Sequence, residues 1–278
     1  MDPQELPSNF VPHEMWPEYN WLANPVSICA REWVPQNPRG IRWSLWPLTF
    51  EMHIGDQEPD LRTGGALARP RVVRWLRVHR TDTPRGWHQG THPWRVDAYH
   101  TLGPDYVSKW NKSSRRDLRL WQEKHAGKTH TIEPVSWADY EAAYRNSTVI
   151  KKIGDEQLKS LGRKIGPGGP ELWGVRDLAN GKIVAGTALH YSPTYKSSMR
   201  EGPFILPEAR DCFAMTGLMD FWFSSSLARG VELQVFSYFA HPGTPKDYAG
   251  FSAFKRQFGI IEVAYPPHLW RLVGGKIF

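Results

Sequence analysis

Two stretches of the sequence concentrate side chains that could do chemistry. Ser108-Lys-Trp-Asn-Lys-Ser-Ser-Arg-Arg-Asp-Leu-Arg119 crowds Lys112, Arg115, Arg116 and Arg119 into what reads as a helix start. The first turn of a helix presents unpaired N–H groups and the positive end of its dipole, so added cations favour an anion such as phosphate. A solvated basic face has the same composition, and spacing alone does not choose between the two. In the second stretch, Gly250-Phe-Ser-Ala-Phe-Lys-Arg-Gln-Phe-Gly259, Phe251, Phe254 and Phe258 fall at i, i+3 and i+7. That is an amphipathic helix stopped by a glycine, and by period alone Lys255 points to water. Trp87 and Trp94 lie in Arg-Gly-Trp-His-Gln-Gly-Thr-His-Pro-Trp, a loop composition, and loop aromatics tend to face ligands. His88, His92 and His100 are of metal-ligating type, but no His-Glu-x-x-His helix or carboxylate completes a site, so no metal is expected.

Periodicity indicates the elements that must carry these residues. Phe50–Ile54, Val72–His79 and Trp94–Leu102 alternate or run apolar as strands, and Asp60–Pro70 reads as a flexible loop. Residues 1–40, rich in Pro, Asn and Trp, read as an irregular lead-in. A helix is predicted over 109–124, capped by Ser113 or Ser114, with Leu118, Trp121 and His125 on one stripe. Ser136-Trp-Ala-Asp139 opens another helix with Trp137, Tyr140 and Tyr144 on its inner face. A third carries Leu158, Leu161 and Ile165 and breaks at Gly166-Pro-Gly-Gly-Pro170. Asn180-Gly181 between two β-rich runs, 172–178 and 182–191, is a strong hairpin signal. Then come a helix over 208–229, a strand over 231–238, the helix over 246–258 and a strand over 260–265. That order predicts an α/β (α+β) fold, helices packed on a largely antiparallel sheet.

Composition narrows the function classes. The chain has 278 residues, 40% hydrophobic and 23% charged, as in a folded soluble protein. No apolar run is long enough to span a membrane and no secretory leader is visible, so a cytoplasmic location is expected. Two cysteines, Cys29 and Cys212, exclude a disulfide scaffold and a structural zinc site. The net charge of +7 is unevenly spread: residues 62–128 carry 15 basic and 5 acidic side chains, whereas residues 1–61 carry 3 and 9. A basic middle segment attracts polyanions. Of the 14 tryptophans, 11 lie at or before Trp137, most of them expected in the core. No phosphate loop, dinucleotide fingerprint or Gly-x-Ser-x-Gly elbow is present, which argues against nucleotide hydrolysis, dinucleotide redox chemistry and serine hydrolysis.

The two opening stretches together resemble a known family. Asn111-Lys-Ser-Ser-Arg-Arg-Asp-Leu-Arg119 is similar to the basic helix of the Fem-type aminoacyl transferases, which build peptidoglycan cross-bridges. The Asn180-Gly-Lys-Ile-Val-Ala-Gly-Thr-Ala-Leu-His190 hairpin is similar to the strand pair of the wider GNAT acyltransferase superfamily. The long helix ending Ala228-Arg-Gly230, the strand after it and Phe254-Lys-x-x-Phe-Gly259 follow in the Fem-type order. The resemblance covers roughly residues 105–265. It departs at Val235-Phe-Ser-Tyr-Phe-Ala-His241, where many members end in a Tyr-Asp-x-Gly-Gly type sequence.

The resemblance implies a GNAT-like mixed sheet flanked by helices and two GNAT-like domains, the first short or degenerate. With it, residues 1–128 become a partner domain bearing the basic helix, and 129–278 a C-terminal acyltransferase domain. It implies transfer of an amino acid from aminoacyl-tRNA to an amine on a peptide or peptidoglycan precursor, without a cofactor. Lys255 would then lie beside the acyl group or the tRNA end, with Phe254 as its neighbour. Lys112, Arg115, Arg116, Arg119, Trp87 and Trp94 would bind substrate. Asp105, Asp97 and His190 are candidates to accept the amine proton. Two alternatives stand: an acyl-CoA enzyme, disfavoured because 199–210 lacks a pyrophosphate loop and carries Pro203 and Pro207, and an inactive domain that binds RNA or a phosphorylated ligand.

Overall fold

The computed structural model describes residues 6–7, 9–19, 31–34, 39–45, 48–61, 70–153, 155–242, 244 and 248–274. In chain order the strands are β1 (Arg31–Val34), β2 (Arg39–Leu45), β3 (Leu48–Ile54), β4 (Arg71–Leu76), β5 (His88–Pro93) and β6 (Val96–Thr101). Helix α1 (Lys112–Lys124), β7 (His130–Pro134), α2 (Trp137–Arg145), α3 (Thr148–Ile153) and α4 (Glu156–Gly162) follow. Then come β8 (Glu171–Asp177), β9 (Ile183–Ser192), β10 (Ser197–Ile205), α5 (Ala214–Ala228) and β11 (Leu233–Phe236). Helix α6 (Tyr248–Lys255), β12 (Ile261–Ala264) and β13 (Pro267–Val273) complete the order. The fold is α+β, as expected.

The chain divides into two compact units. The smaller comprises residues 26–97, 238–245 and 263–278. Its sheet runs β1-β2-β3-β4-β13-β5, with β3 and β4 parallel and the other neighbours antiparallel. Val73, Trp75, Trp87 and Leu269 form its core, and among the described residues it has no α-helix. The chain's last strand, β13, is inserted between β4 and β5.

The larger unit comprises residues 1–25, 98–237 and 246–262. The sheet that serves it runs β12-β6-β11-β10-β9-β8-β7. The expected division after residue 128 falls inside this unit, because α1 packs on α5 across the break, and β13 belongs to the other sheet. Strand β9 is buried along almost its whole length and carries Ala185, Gly186 and Ala188 where aromatic rings close over it. On one face Tyr140, Tyr144, Leu158, Leu161 and Phe204 pack together. Leu218, Met219, Trp222 and Phe223 of α5 are fully buried. Strands β10 and β11 are parallel, which requires a crossover, and α5 supplies it.

Helix α1 is capped by Asn111, whose Oδ1 accepts from the Ser114 N–H at 2.8 Å, so the cap lies earlier than the serines suggested. Leu118 and Trp121 face inward and the arginines outward. Gly217 of α5 lies against the Trp121 indole, where a Cβ would overlap the ring. Gly217→Ala is therefore expected to cost about 2 kcal/mol of unfolding free energy, read as a lowered urea midpoint at unchanged slope. A wild-type midpoint would show that the indole moves aside without cost.

Candidate functional site

The β10–β11 ladder holds only Ser197–Met199 against Leu233–Val235. Beyond Met199, β10 continues to Ile205, turning at a bulge where Gly202 adopts a left-handed φ of 58°. Arg200 and Glu201 are the first residues past the last paired position. Successive strand residues point to opposite faces, so these two charges serve different surroundings.

On one face Glu201 collects cations. Lys164 Nζ donates to its Oε1 at 2.7 Å and to the Tyr19 hydroxyl at 2.8 Å, and His190 Nε2 lies 2.8 Å from Oε2. Tyr19 covers the cluster, its ring 5.4 Å from His190 and 4.6 Å from the Lys164 amine. Burial alone would raise the Glu201 pKa. The His190 hydrogen bond and the Lys164 charge outweigh it and hold the carboxyl at about 2. Burial draws Lys164 below the usual lysine range, by more than pairing with Glu201 restores. The segment bearing Tyr19 is itself pinned: Ser192 and Thr194 donate to the Glu18 carboxylate at 2.8 and 2.9 Å. The lead-in read as irregular thus supplies side chains to this cluster.

On the other face the Arg200 guanidinium meets the sulfurs of Met215 and Met219 on α5, and the Phe254 ring of α6 at 6.0 Å. Burial lowers its pKa to about 10. Lys255, next to Phe254, donates to the carbonyl of Ser237, the residue just past β11. The Ser237 hydroxyl lies 3.1 Å from His13 Nδ1, and the His13 ring packs 4.6 Å from Tyr19. Ser237 therefore joins the Lys255 side of the sheet to the Glu201 side at the point where β10 and β11 part.

The basic helix start is tied to the Lys255 helix. Asn111 N–H donates to Gln257 O at 2.9 Å, and Ser114 Oγ to Gln257 Oε1 at 2.8 Å. Phe258 packs edge-on against Trp110 at 4.8 Å. Gly259 has a left-handed φ of 64°, and a Cβ there would strike the Lys109 carbonyl. The Phe-Lys-x-x-Phe-Gly pattern thus has a physical meaning here: it is the segment against which residues 109–114 close. Lys112, Arg115, Arg116 and Arg119 are exposed along that helix. Arg116 pairs with Asp117 at 2.9 Å and Arg119 with Glu123 at 3.9 Å, contacts that cost little to break in water.

Other expected site residues fall elsewhere. Trp87 is buried in the smaller unit's core, its Nε1 donating to Glu58 at 2.8 Å, because the presumed loop is strand β5 and its turn. Trp94 stacks on Tyr265 at 4.8 Å and donates to Arg77 O at 2.8 Å. Trp87 is buried and Trp94 half-buried, each held by contacts within the smaller unit. Asp97 is fully buried, paired with Arg95 at 2.8 Å and accepting from Tyr238 N–H at 3.0 Å. Asp105 is exposed in a turn. His190 alone of the three stands in the charged cluster. Among the described residues no group of three or more His, Cys, Asp or Glu could hold a metal ion. Sequence reasoning missed Arg200, Glu201, Lys164, Tyr19 and Ser237. Two adjacent charges inside an otherwise β-compatible run, stopped by Gly202-Pro203, were the available signal.

Comparison with known proteins adds the fold. No protein-family model and no curated protein matches the sequence. Among solved structures, FemX matches at 10% identity over 88% of this chain and 88% of its own, with a TM-score of 0.66. A conserved protein of unknown function from Bacteroides thetaiotaomicron matches at 9% identity, over 88% of this chain and 86% of its own, with a TM-score of 0.59. L-PGS from Bacillus licheniformis matches at 10%, over 84% and 81%, with a TM-score of 0.52. The chain shares the fold of FemX, as the resemblance implied.

Two outcomes are expected. Glu201 binds fewer protons folded than unfolded, so its stabilisation is complete above its ordinary pKa of 4.5 and fades as pH falls towards 2. Urea unfolding should show about 3 kcal/mol lost through Glu201 between pH 6 and pH 2, a loss absent from Glu201→Gln, which is already destabilised at pH 7. Parallel pH profiles would refute the pairing. Gly259→Ala should cost more than 1 kcal/mol, since φ and the Lys109 backbone both oppose a Cβ; a wild-type melting temperature would contradict that.

Proposed function

We propose that this chain is a Fem-type acyltransferase that moves an aminoacyl group from aminoacyl-tRNA to an amine by direct aminolysis. The observation that carries the reading is the parting of β10 and β11, with Lys255 fixed at Ser237 on one side and the His190–Glu201 pair on the other. Past Met199 the β11-facing edge of β10 is no longer laddered to β11, and such backbone groups can hold an extended acyl donor as an added strand would. The donor ester is placed in this interval.

The amine nitrogen attacks the ester carbonyl and a tetrahedral oxyanion forms. Lys255 supplies the nearby cation that stabilises it, with Phe254 as its apolar neighbour. The amine must lose a proton as the new C–N bond forms. With Nε2–H donated to Glu201, His190 has Nδ1 left to take it. Collapse breaks the ester C–O bond, and the departing ribose hydroxyl regains a proton. The exposed arginines of α1, joined to the Lys255 helix through Gln257, serve the phosphates of the donor. The acceptor is an amine on a peptide or peptidoglycan precursor, supported by the Fem resemblance alone. Among the described residues no helix is long and apolar enough to cross a membrane.

Transfer of a labelled amino acid from charged tRNA, beside filter retention of uncharged tRNA, tests the reading. Lys255→Ala should lower the transfer rate about a hundredfold while the protein stays folded; full activity would remove Lys255 from the site. Changing Arg115, Arg116 and Arg119 to Glu should lower the slope of log affinity against log salt by about 2, and an unchanged slope would exclude α1 as the contact. Binding without turnover would favour an inactive RNA-binding domain. Calorimetric binding of CoA would favour an acyl-CoA donor.

A further inference from the structure

The transfer chemistry leaves Arg200 without a task, and its surroundings are unusual for an arginine drawn out of water. Arg71 is paired with Glu51 at 3.0 Å, Arg95 with Asp97 at 2.8 Å and Lys164 with Glu201 at 2.7 Å. Arg77, also buried, donates to the backbone carbonyls of Asp82 and Pro267. Arg200 instead donates to two thioether sulfurs, which are weak acceptors, and faces the Phe254 ring. Among the described residues no carboxylate lies within ion-pair distance of it. Burial has already pulled its pKa down, a cost that no anion among the described residues repays. As a whole residue Arg200 is half-buried rather than fully enclosed.

Position gives the missing partner its place. Arg200 directly follows Met199, the last β10 residue paired with β11, and Phe254 precedes Lys255 on α6. The guanidinium therefore sits where the strands part, on the same side as the lysine assigned to the oxyanion. A planar fork of N–H donors matches a carboxylate in bidentate fashion, and the flanking Met215, Met219 and Phe254 suit the methylenes that would carry one. A tRNA phosphate fits less well, since the backbone track of the donor calls for solvated cations and α1 supplies them.

We propose that Arg200 binds a carboxylate borne by the transferred acyl group, making this a transferase selective for acidic aminoacyl donors, glutamyl or aspartyl. The proposal rests on the transferase reading above. Arg200 is then a specificity-determining residue that touches the substrate side chain.

The test compares kcat/KM for tRNA charged with glutamate against tRNA charged with glutamine, and aspartate against asparagine, in the wild-type protein, Arg200→Gln and Arg200→Lys. The wild type should favour the acidic member of a pair about a hundredfold, the ratio should fall towards 1 in Arg200→Gln, and Arg200→Lys should retain part of it. Thermal melting of each variant checks that it is folded. A wild type that transfers neutral residues as well as acidic ones would overturn the proposal, and so would a ratio untouched by Arg200→Gln. A separate arm measures binding of N-acetylglutamate and N-acetylglutamine by calorimetry. Selective binding of the acid, abolished in Arg200→Gln, would uphold the carboxylate site even if no charged tRNA were a donor, whereas transfer without such selectivity would sink the site and spare the transferase reading.

Discussion

Three residue pairs hold β10 to β11, and the sheet is open beyond them. Everything proposed for this chain depends on that short ladder. A continuous parallel pair would satisfy the facing backbone of both strands and leave nowhere for a substrate to enter. Because the ladder stops after Met199, two adjacent β10 residues become available on opposite faces, and Ser237 is left at the end of β11 to receive Lys255 on its carbonyl and His13 on its hydroxyl. The Gly202 bulge then bends β10 while keeping it paired to β9. Parallel pairing itself is possible only because α5 returns the chain across the sheet, and α5 in turn gives α1 its packing surface through Gly217.

Charge is handled in two ways around this opening. Glu201 is buried but surrounded by Lys164, His190 and Tyr19, so its ionised form is strongly held. Such a cluster is rigid: removing one member strands the others in a poorly solvated place. Arg200, one residue earlier, has soft sulfur neighbours and an aromatic ring. Among the described residues, one face of the strand pairs its charge with counter-charges and the other does not. That contrast, rather than any sequence motif, sets the two faces apart.

Much of the larger unit was legible in the sequence. The hairpin at Asn180-Gly181, the Ser136 cap and the glycine stops at Gly230 and Gly259 all stand where local chemistry puts them, because turns and caps are decided by a few neighbouring residues. The predicted helix over 208–229 shortens to Ala214–Ala228, a short turn at Pro207–Ala209 taking its first part. Strand β10 escaped notice because Arg200, Glu201, Gly202 and Pro203 break its apolar alternation, and the first two are the charges of the candidate site. Strands β5 and β13 were missed for a related reason. His88–Pro93 is polar along its length, and its strand character comes from pairing with a segment almost two hundred residues away, which no local window contains. Trp87 goes with it: a tryptophan in a Gly/Pro/His-rich stretch reads as a loop aromatic, but it is buried against Trp75.

The insertion of β13 between β4 and β5 has a consequence for how the protein is made. Strands β7 to β10 meet neighbours close in sequence, so they can pair while synthesis continues. In the smaller sheet β1 to β4 do the same, but β5 has no ladder to β4 and joins the sheet only through residues 267–273. Closing the smaller sheet therefore depends on a contact distant in sequence, the kind of pairing that forms slowly because a long loop must close first.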